Sequence, residues 1–413
     1  MNKQEKKIHI VGAGVSGLIA AQVLEKQGYS PIVFEKSDRV GGRMKTDLFE
    51  GIPLDYGFQV LLDEYPMAKK YLDMEKLDLH YFWSGATLYN GKKEHFGDPL
   101  RSPFFLTHTL FYKGAKFTDK IKVFELSNKL RQKSIEDIFR SVSTTTLEYL
   151  KNYGFSERII QHFFKPFFGG IFLEKELNTS SRMFEFIFKM FSEGNACIPK
   201  DGMEEIPQQL FRKLTRTQFH FNVEIQEVRD GRLYIEGFDA IESDAVVIST
   251  AADQLIPFYR KKALKWKGCL CLYFEVEKFM LEKPIIGLIS KSNVFVNNWH
   301  EINWLKDIDK KVISVTVIDH MELPEDVLIR KVDYELKNYC GIHVKRLIKC
   351  YRIDQALPDL ARTDYDIDPS ETQVMEKVFV SGDVCLNGSM NAAMLSGQRA
   401  AEAVVDGFKY RDV

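Results

Sequence analysis

Ile8-His9-Ile10-Val11-Gly12-Ala13-Gly14-Val15-Ser16-Gly17 is the stretch that decides how this chain folds. Ile8 to Val11 is a short apolar run bounded by glycine, as expected of a buried parallel strand. Leu18 to Gln27 is rich in Ala, Leu, Val and Glu and reads as a helix. Gly28 stands where a helix stop belongs. Pro31-Ile-Val-Phe34 is the next strand and ends at Glu35. The order is strand, glycine turn, helix, strand, acid, and each part has a physical reason. Gly12 permits the tight turn, Gly14 clears the approach of a pyrophosphate to the backbone, and Gly17 lets helix pack closely on strand. The helix start offers free N–H groups and partial positive charge to phosphate. Glu35 is placed to accept ribose hydroxyls, which favours a free ribose over a 2′-phosphate. A glycine triplet alone is weak evidence. With its strand, helix and acid in order, it predicts a dinucleotide site. Ala13, Val15 and Ser16 complete the turn, and Lys36 follows the acid.

Working outward, the chain has 413 residues, which favours two domains over one. Hydrophobic residues make up 45% and charged residues 28%, an ordinary globular composition. A net charge of −1 gives no support to a nucleic-acid partner. The six cysteines have neither C-x-x-C spacing nor metal-finger spacing to histidine, so buried reduced thiols and no metal are expected. The N-terminus lacks a signal-peptide pattern, and no uncharged apolar run is long enough to span a bilayer. The cytoplasm is the expected compartment, with association to a membrane surface left open.

Four further segments extend the first. Glu35-Lys36-x-x-Arg39-Val40-Gly41-Gly42-Arg43 follows the second strand. Leu54-Asp55-Tyr56-Gly57-Phe58-Gln59-Val60 lies shortly beyond it. Near the C-terminus stand Val378-Phe-Val-Ser-Gly382-Asp383 and then Asn387-Gly388-Ser389-Met390-Asn391-Ala392-Ala393, leading into a helix over 391–404. Phe219 to Val228 reads as one mid-chain strand, and Ala245 to Ile248 as another, ending in Ser249-Thr250-Ala251. Together these resemble the flavin-containing amine oxidase, protoporphyrinogen oxidase and phytoene desaturase superfamily, nearest its desaturase-like branch.

The resemblance implies an α/β chain that binds FAD. A discontinuous Rossmann-like FAD-binding domain (1–78, 195–258 and 346–413) would be interrupted by a second, α+β substrate domain (79–194 and 259–345). It further implies that Gly41, Gly42 and Arg43 line the diphosphate path, with Arg43 a donor to phosphate. Gly57, Phe58 and Gln59 would run beside the flavin ring. Ile225 would meet adenine through its backbone, and Thr250-Ala251 would pass the cofactor. Gly382 and Asp383 would hold the ribityl or diphosphate portion. The helix beginning near Met390, Asn391 and Ala392 would stabilise negative charge on the reduced flavin.

The intervening regions carry much of the chain's 31 Phe. Glu157 to Phe168 and Arg182 to Phe191 repeat Phe and Ile at helical spacing, so each predicts a helix with an apolar face. A Phe-rich core is one reading and a lipophilic substrate tunnel the other. Pro99 to Phe117 is apolar with flanking Arg101, Lys113 and Lys116, a pattern suited to a bilayer surface. An inward-facing helix is the alternative and the preferred reading. No acid–base pair or nucleophile stands out, so the flavin is expected to do the chemistry. Amine oxidase relatives carry a lysine near the flavin, for which Lys265 and Lys267 are candidates by position. The aromatic pair that frames an amine in those enzymes has no counterpart in Cys385-Leu-Asn-Gly-Ser389, which argues against amine oxidation. The reading is an FAD-dependent oxidoreductase acting on a bulky apolar substrate, a carotenoid or related lipid by resemblance. Oxygen or a quinone would accept its electrons. A soluble amine oxidase and a flavin-holding protein without turnover are the competitors.

Overall fold

Ile8–Val11 is buried throughout and pairs in parallel with Ile32–Glu35 on one side and Ala245–Ile248 on the other. A strand covered on both faces has no use for polar alternation, hence its apolar run. The computed structural model describes residues 3–257, 264–304, 308–318 and 323–411. In it the full sheet runs Gln218–Phe221, Ile32–Glu35, Ile8–Val11, Ala245–Ile248, Val378–Val380, Gln373–Met375. Only the last strand is antiparallel. Three distant stretches of chain thus build one nucleotide sheet. The helices Val15–Lys26 and Met390–Arg411 pack on each other over it, the second starting one residue before its expected position.

The strand expected over 219–228 is two strands. Asn222 takes a left-handed φ of +58°, which a short polar side chain tolerates. Gln218–Phe221 stays in the nucleotide sheet. Ile225–Arg229 instead opens a separate antiparallel sheet with Arg232–Ile235 and Ile241–Glu242. The turn escaped prediction because both halves are apolar at similar spacing.

A second sheet, of seven strands, runs Val344–Pro358, Trp266–Val276, Val312–Val317, Val296–Glu301, Ile286–Ile289, Gly85–Tyr89, Lys93–Gly97. Leu270, Leu272, Trp299, Val315 and Val317 on one face pack against Leu328 and Val332 of the helix Glu325–Glu335. The opposite face looks toward the nucleotide domain and a helical lobe over 104–193. The fold is therefore the expected α/β class with a second α+β part. The expected domain boundary at 258/259 lies outside the described residues.

Within the lobe, Glu157–Ile159, Ile160–Phe164 and Lys165–Phe172 form one continuous run whose middle is a wider, π-type turn. The wide turn lets consecutive Phe163 and Phe164 both point inward. Ser181–Glu193 brings Phe184 and Phe188 against Phe168, with ring centroids 4.8 and 6.3 Å away. The helix Phe104–Phe111 corrects the expectation of an inward-facing segment. Phe105 is buried, but Leu106, Leu110 and Phe111 are 62, 50 and 74% exposed. Leu100, Phe117, Ile121 and Phe124 continue the exposed apolar surface. Among the described residues, no helix is long and apolar enough to cross a membrane.

Candidate functional site

The phosphate end is built from backbone. Gly12 leaves the first strand at φ +102°, a conformation other residues rarely adopt, and its N–H donates to the Phe34 carbonyl at 2.8 Å. A Cβ on Gly17 would stand 2.1 Å from the Gly12 carbonyl oxygen, so helix and turn fit only without a side chain there. The second glycine turn lies against the first. Gly41 N–H donates to the Ala13 carbonyl at 2.9 Å, and a Cβ on Gly42 would approach Gly14 Cα to 3.3 Å. The first-turn amides of the helix Val15–Lys26 have no intrahelical acceptors and face this clasp. The Ser16 hydroxyl beside them has no hydrogen-bond partner among the described residues.

Glu35 is buried yet forms part of the cavity wall. Its carboxylate accepts from Ala13 N–H at 2.8 Å, from Ser37 N–H at 2.9 Å and from Ser37 Oγ at 2.7 Å. These donors fix the group while a carboxylate retains lone pairs for a sugar. Arg39 ties the adjoining turn to Asp47 at 2.9 Å and Glu204 at 3.2 Å.

Both glycine turns open into one cavity of about 1350 Å3. Val15, Ser16, Lys36, Gly41 and Arg43 line its first part, with Ile225, Thr250 and Ala251 across from them. Gly57, Phe58 and Gln59 line the next part, then Gly382, Asp383 and Met390. Segments far apart in the chain therefore meet as expected, with several corrections. Arg43 lines the cavity but has protein partners of its own. It ion-pairs with Asp383, donates to the Ala356 carbonyl at 3.2 Å and stacks 5.2 Å from the centre of the Trp266 ring. Two groups expected to grip the cofactor separately thus hold each other. Gln59 Nε2 braces the backbone carbonyls of Arg43 and Tyr56, each at 3.0 Å. Ala13, Gly17, Asn391 and Ala392 stand behind the cavity wall rather than in it. Asn391 Oδ1 accepts from Met67 N–H at 3.0 Å, and Ala392 N–H donates to Ser389 Oγ at 3.0 Å. They shape the helix start instead of presenting side chains to a ligand.

Much of the remaining cavity lining is apolar, interspersed with polar groups such as Asn128 and Arg131. Phe163, Phe167, Phe168, Phe188 and Phe191 wall one side, and Ile286 and Leu288 of the second sheet the other. The far end reaches the surface between Leu106, Leu110, Phe117, Ile121 and Phe124, all more than two-fifths exposed. The total volume exceeds the roughly 300–1,000 Å3 of a pocket for one small ligand.

Of the two candidate lysines, Lys265 is exposed and outside the cavity, whereas Lys267 is in its wall. Sequence reading missed its partner. Lys267 Nζ lies 2.6 Å from Glu174 Oε2 and 3.2 Å from Thr179 Oγ1. The other Glu174 oxygen accepts from Thr179 N–H at 2.6 Å. Glu174 follows Leu173, a left-handed residue at φ +50° that ends the preceding helix, so only the fold brings this carboxylate to Lys267. Burial pushes the nearby Cys269 thiol up to about 12, which leaves it a protonated wall group and no nucleophile. All six cysteines are free, and no cluster of three metal-ligating side chains occurs among the described residues.

These contacts suit a cofactor whose ADP half lies on the glycine clasp and whose ring end meets the 57–59 loop and the start of the last helix. Comparison with known proteins agrees. The family model "Flavin containing amine oxidoreductase" matches residues 15–405. Protoporphyrinogen oxidase 2 of Arabidopsis thaliana is 28% identical over 172 residues, 40% of this chain and 32% of that protein. The matched stretch is thus about a third of that relative's length. A 1-hydroxycarotenoid 3,4-desaturase of Flavobacterium sp. (strain P99-3) is 36% identical over 95 residues, 20% of this chain and 19% of that one. The crystal structure of an oxidoreductase from Methanosarcina mazei superposes with a TM-score of 0.71 at 17% identity, covering 96% of this chain and 100% of that chain. With sequence match, fold and cofactor-shaped clasp in accord, the chain belongs to the flavin-containing amine oxidoreductase family and is an FAD-dependent oxidoreductase.

Proposed function

We propose that this enzyme oxidises or desaturates a bulky apolar molecule, of the polyene or related lipid class. One observation carries the reading: the cavity that starts at the glycine clasp continues as a phenylalanine-walled tunnel to an apolar mouth. FAD, when bound, supplies the two-electron acceptor. We assign its ADP half to Gly12, Gly14, Val15, Ser16, Glu35, Lys36, Gly41 and Gly42. Its ring end goes to Gly57, Phe58, Gln59, Gly382, Asp383 and Met390. The Phe rings of the tunnel hold the substrate and exclude water. Lys267 is ion-paired with Glu174 at the junction of the two parts.

The exposed apolar mouth supports a second element of the proposal, peripheral contact with a membrane from which such a substrate is drawn. Lys113, Lys116 and Lys120 stand beside Leu110, Phe111 and Phe117, an arrangement suited to anionic headgroups. An amine oxidase gains one observation, the cavity lysine. Against it, that lysine is neutralised by Glu174, and 385–389 bring no aromatic ring to the wall.

The test is anaerobic. The purified holoprotein is mixed with an apolar polyene, and the oxidised flavin band is expected to bleach, then return on addition of oxygen or a quinone. Bleaching by small amines but by no apolar compound would replace this reading with amine oxidation. A flavin that no compound reduces and no acceptor reoxidises would favour a binding protein without turnover.

A further inference from the structure

We infer that Asn297, Asn298 and Thr316 form a polar binding point in the floor of the apolar tunnel, and that its ligand is an elongated apolar molecule bearing one uncharged oxygen function, a hydroxyl or a carbonyl. The inference rests on the apolar-substrate reading and narrows it.

The three side chains lie on adjacent strands, Val296–Glu301 and Val312–Val317, whose register sets Asn298 opposite Thr316. They are 9, 3 and 4% exposed, and all three belong to the cavity wall. Their neighbours in that wall include Phe167, Phe168, Gly170 and Leu288. Polar groups in such a place are costly unless paired.

Their hydrogen bonds run in one direction. Asn297 Nδ2 donates to the Pro166 carbonyl at 3.2 Å and to Asn298 Oδ1 at 3.1 Å. Asn298 Nδ2 donates to Thr316 Oγ1 at 3.3 Å. The chain stops there. Among the described residues the Thr316 hydroxyl donates to nothing, and the Asn297 side-chain oxygen accepts from nothing. One donor and one acceptor are left at the tunnel wall. A ligand hydroxyl can answer both, and a carbonyl can answer the donor. The residual groups carry no charge. The charged pair of the same wall, Lys267 and Glu174, is already self-neutralised. A cationic amine or a carboxylate seated at the triad would therefore be buried without a counter-ion.

The fold makes room for this triad at a visible cost. Gly169 and Gly170 are consecutive glycines inside the helix Lys165–Phe172, where glycine is unfavourable. A Cβ on Gly170 would meet Asn297 Nδ2 at 2.3 Å and Asn298 Oδ1 at 3.0 Å. The Phe167-Phe-Gly-Gly sequence thus acquires a physical reason. Its rings wall the tunnel, and its glycines admit the amides. If the amides served only to clamp helix to sheet, the Asn297–Pro166 bond would suffice, and the Thr316 hydroxyl would be dispensable.

The test uses holoprotein titrated with dodecanol, dodecane and dodecylammonium, read by perturbation of the flavin spectrum. In the Thr316→Val variant, which keeps shape and removes only the hydroxyl, the ratio of dodecanol to dodecane affinity is expected to fall about tenfold. Dodecane affinity should be unchanged, and Thr316→Ser should restore the ratio. An unchanged ratio in Thr316→Val, with both chains still bound, would overturn the polar binding point and leave the apolar tunnel standing. Dodecylammonium binding tighter than dodecanol would overturn it in favour of an amine site. Failure of all three ligands to bind would remove the apolar-substrate reading as well.

Discussion

The nucleotide half and the Phe-rich half of this molecule build their shared cavity by opposite means. The first uses what is missing. Gly12, Gly14, Gly17 and Gly42 let two stretches of backbone close on each other and present N–H groups. The second uses what is present: Phe rings from two helices, amides from a strand, and an ion pair between a loop and a sheet. A site made of backbone tolerates almost no added atom. A site made of side chains can be re-tuned one residue at a time.

That contrast can be broken at several points. The largest effect is expected from Gly17→Val, whose branched side chain would be driven into the Gly12 carbonyl. Overpacking at this contact should cost at least about 3 kcal/mol, and the protein should purify without yellow colour. Retained flavin at full stoichiometry would show that the clasp is softer than described. The apolar mouth comes next. Exchanging Leu106 and Phe111 for serine should lower partition onto anionic vesicles by about 2–4 kcal/mol in total, measured by co-sedimentation, with flavin content unaltered. Equal partition of variant and parent would place the membrane contact elsewhere. Glu35→Ala follows, expected to weaken FAD by about 1–3 kcal/mol in a fluorescence titration of the apoprotein. Unchanged affinity would mean that the ribose lies away from Glu35.

The smallest effect is a pH dependence. Burial, with the charge of Lys7 adding, lowers the His9 imidazole from 6.5 to about 4, and the ring shares a 2.6 Å hydrogen bond with Ser243 Oγ. Between those values the unfolded chain takes up a proton that the folded chain refuses. Stability therefore falls as pH drops from 6.5 toward 4, by about 1.4 kcal/mol per unit for this group. Thermal melts should show His9→Asn with a shallower decline than the parent over that window. Parallel curves would remove His9 from the acid sensitivity of the nucleotide sheet.

The same contrast explains what could be read beforehand. The strand–glycine–helix–acid order is local, and its parts sit at fixed spacing along one stretch of chain. The local fold from Gly12 to Glu35 was therefore legible, and Gly57 and Gly382 do meet in one cavity wall. The pairing of Arg43 with Asp383 was not foreseen, because the two are far apart in sequence and no local pattern links them. Asn391 and Ala392 were placed on the correct helix but on its hidden side, since a helix start tells which residues are near a ligand and not which of them face it. Glu174 and the Asn297–Asn298–Thr316 group left no signal at all. Single polar residues in apolar surroundings become a site only when sheet register and a pair of helix glycines bring them together. The outward turn of Leu106, Leu110 and Phe111 was hidden for the converse reason. An apolar helix has the same composition whether it covers a core or opens one.

The order of strands in the nucleotide sheet has a consequence for how the protein is made. Val378–Val380 pairs with Ala245–Ile248, and Met390–Arg411 packs on Val15–Lys26. The cavity shared by the Gly12–Gly17 turn and the Gly382–Met390 segment can therefore close only once both have been synthesised. Until then the Phe-rich lobe is synthesised against an unfinished cofactor site, with its apolar surface open to chaperones or to lipid.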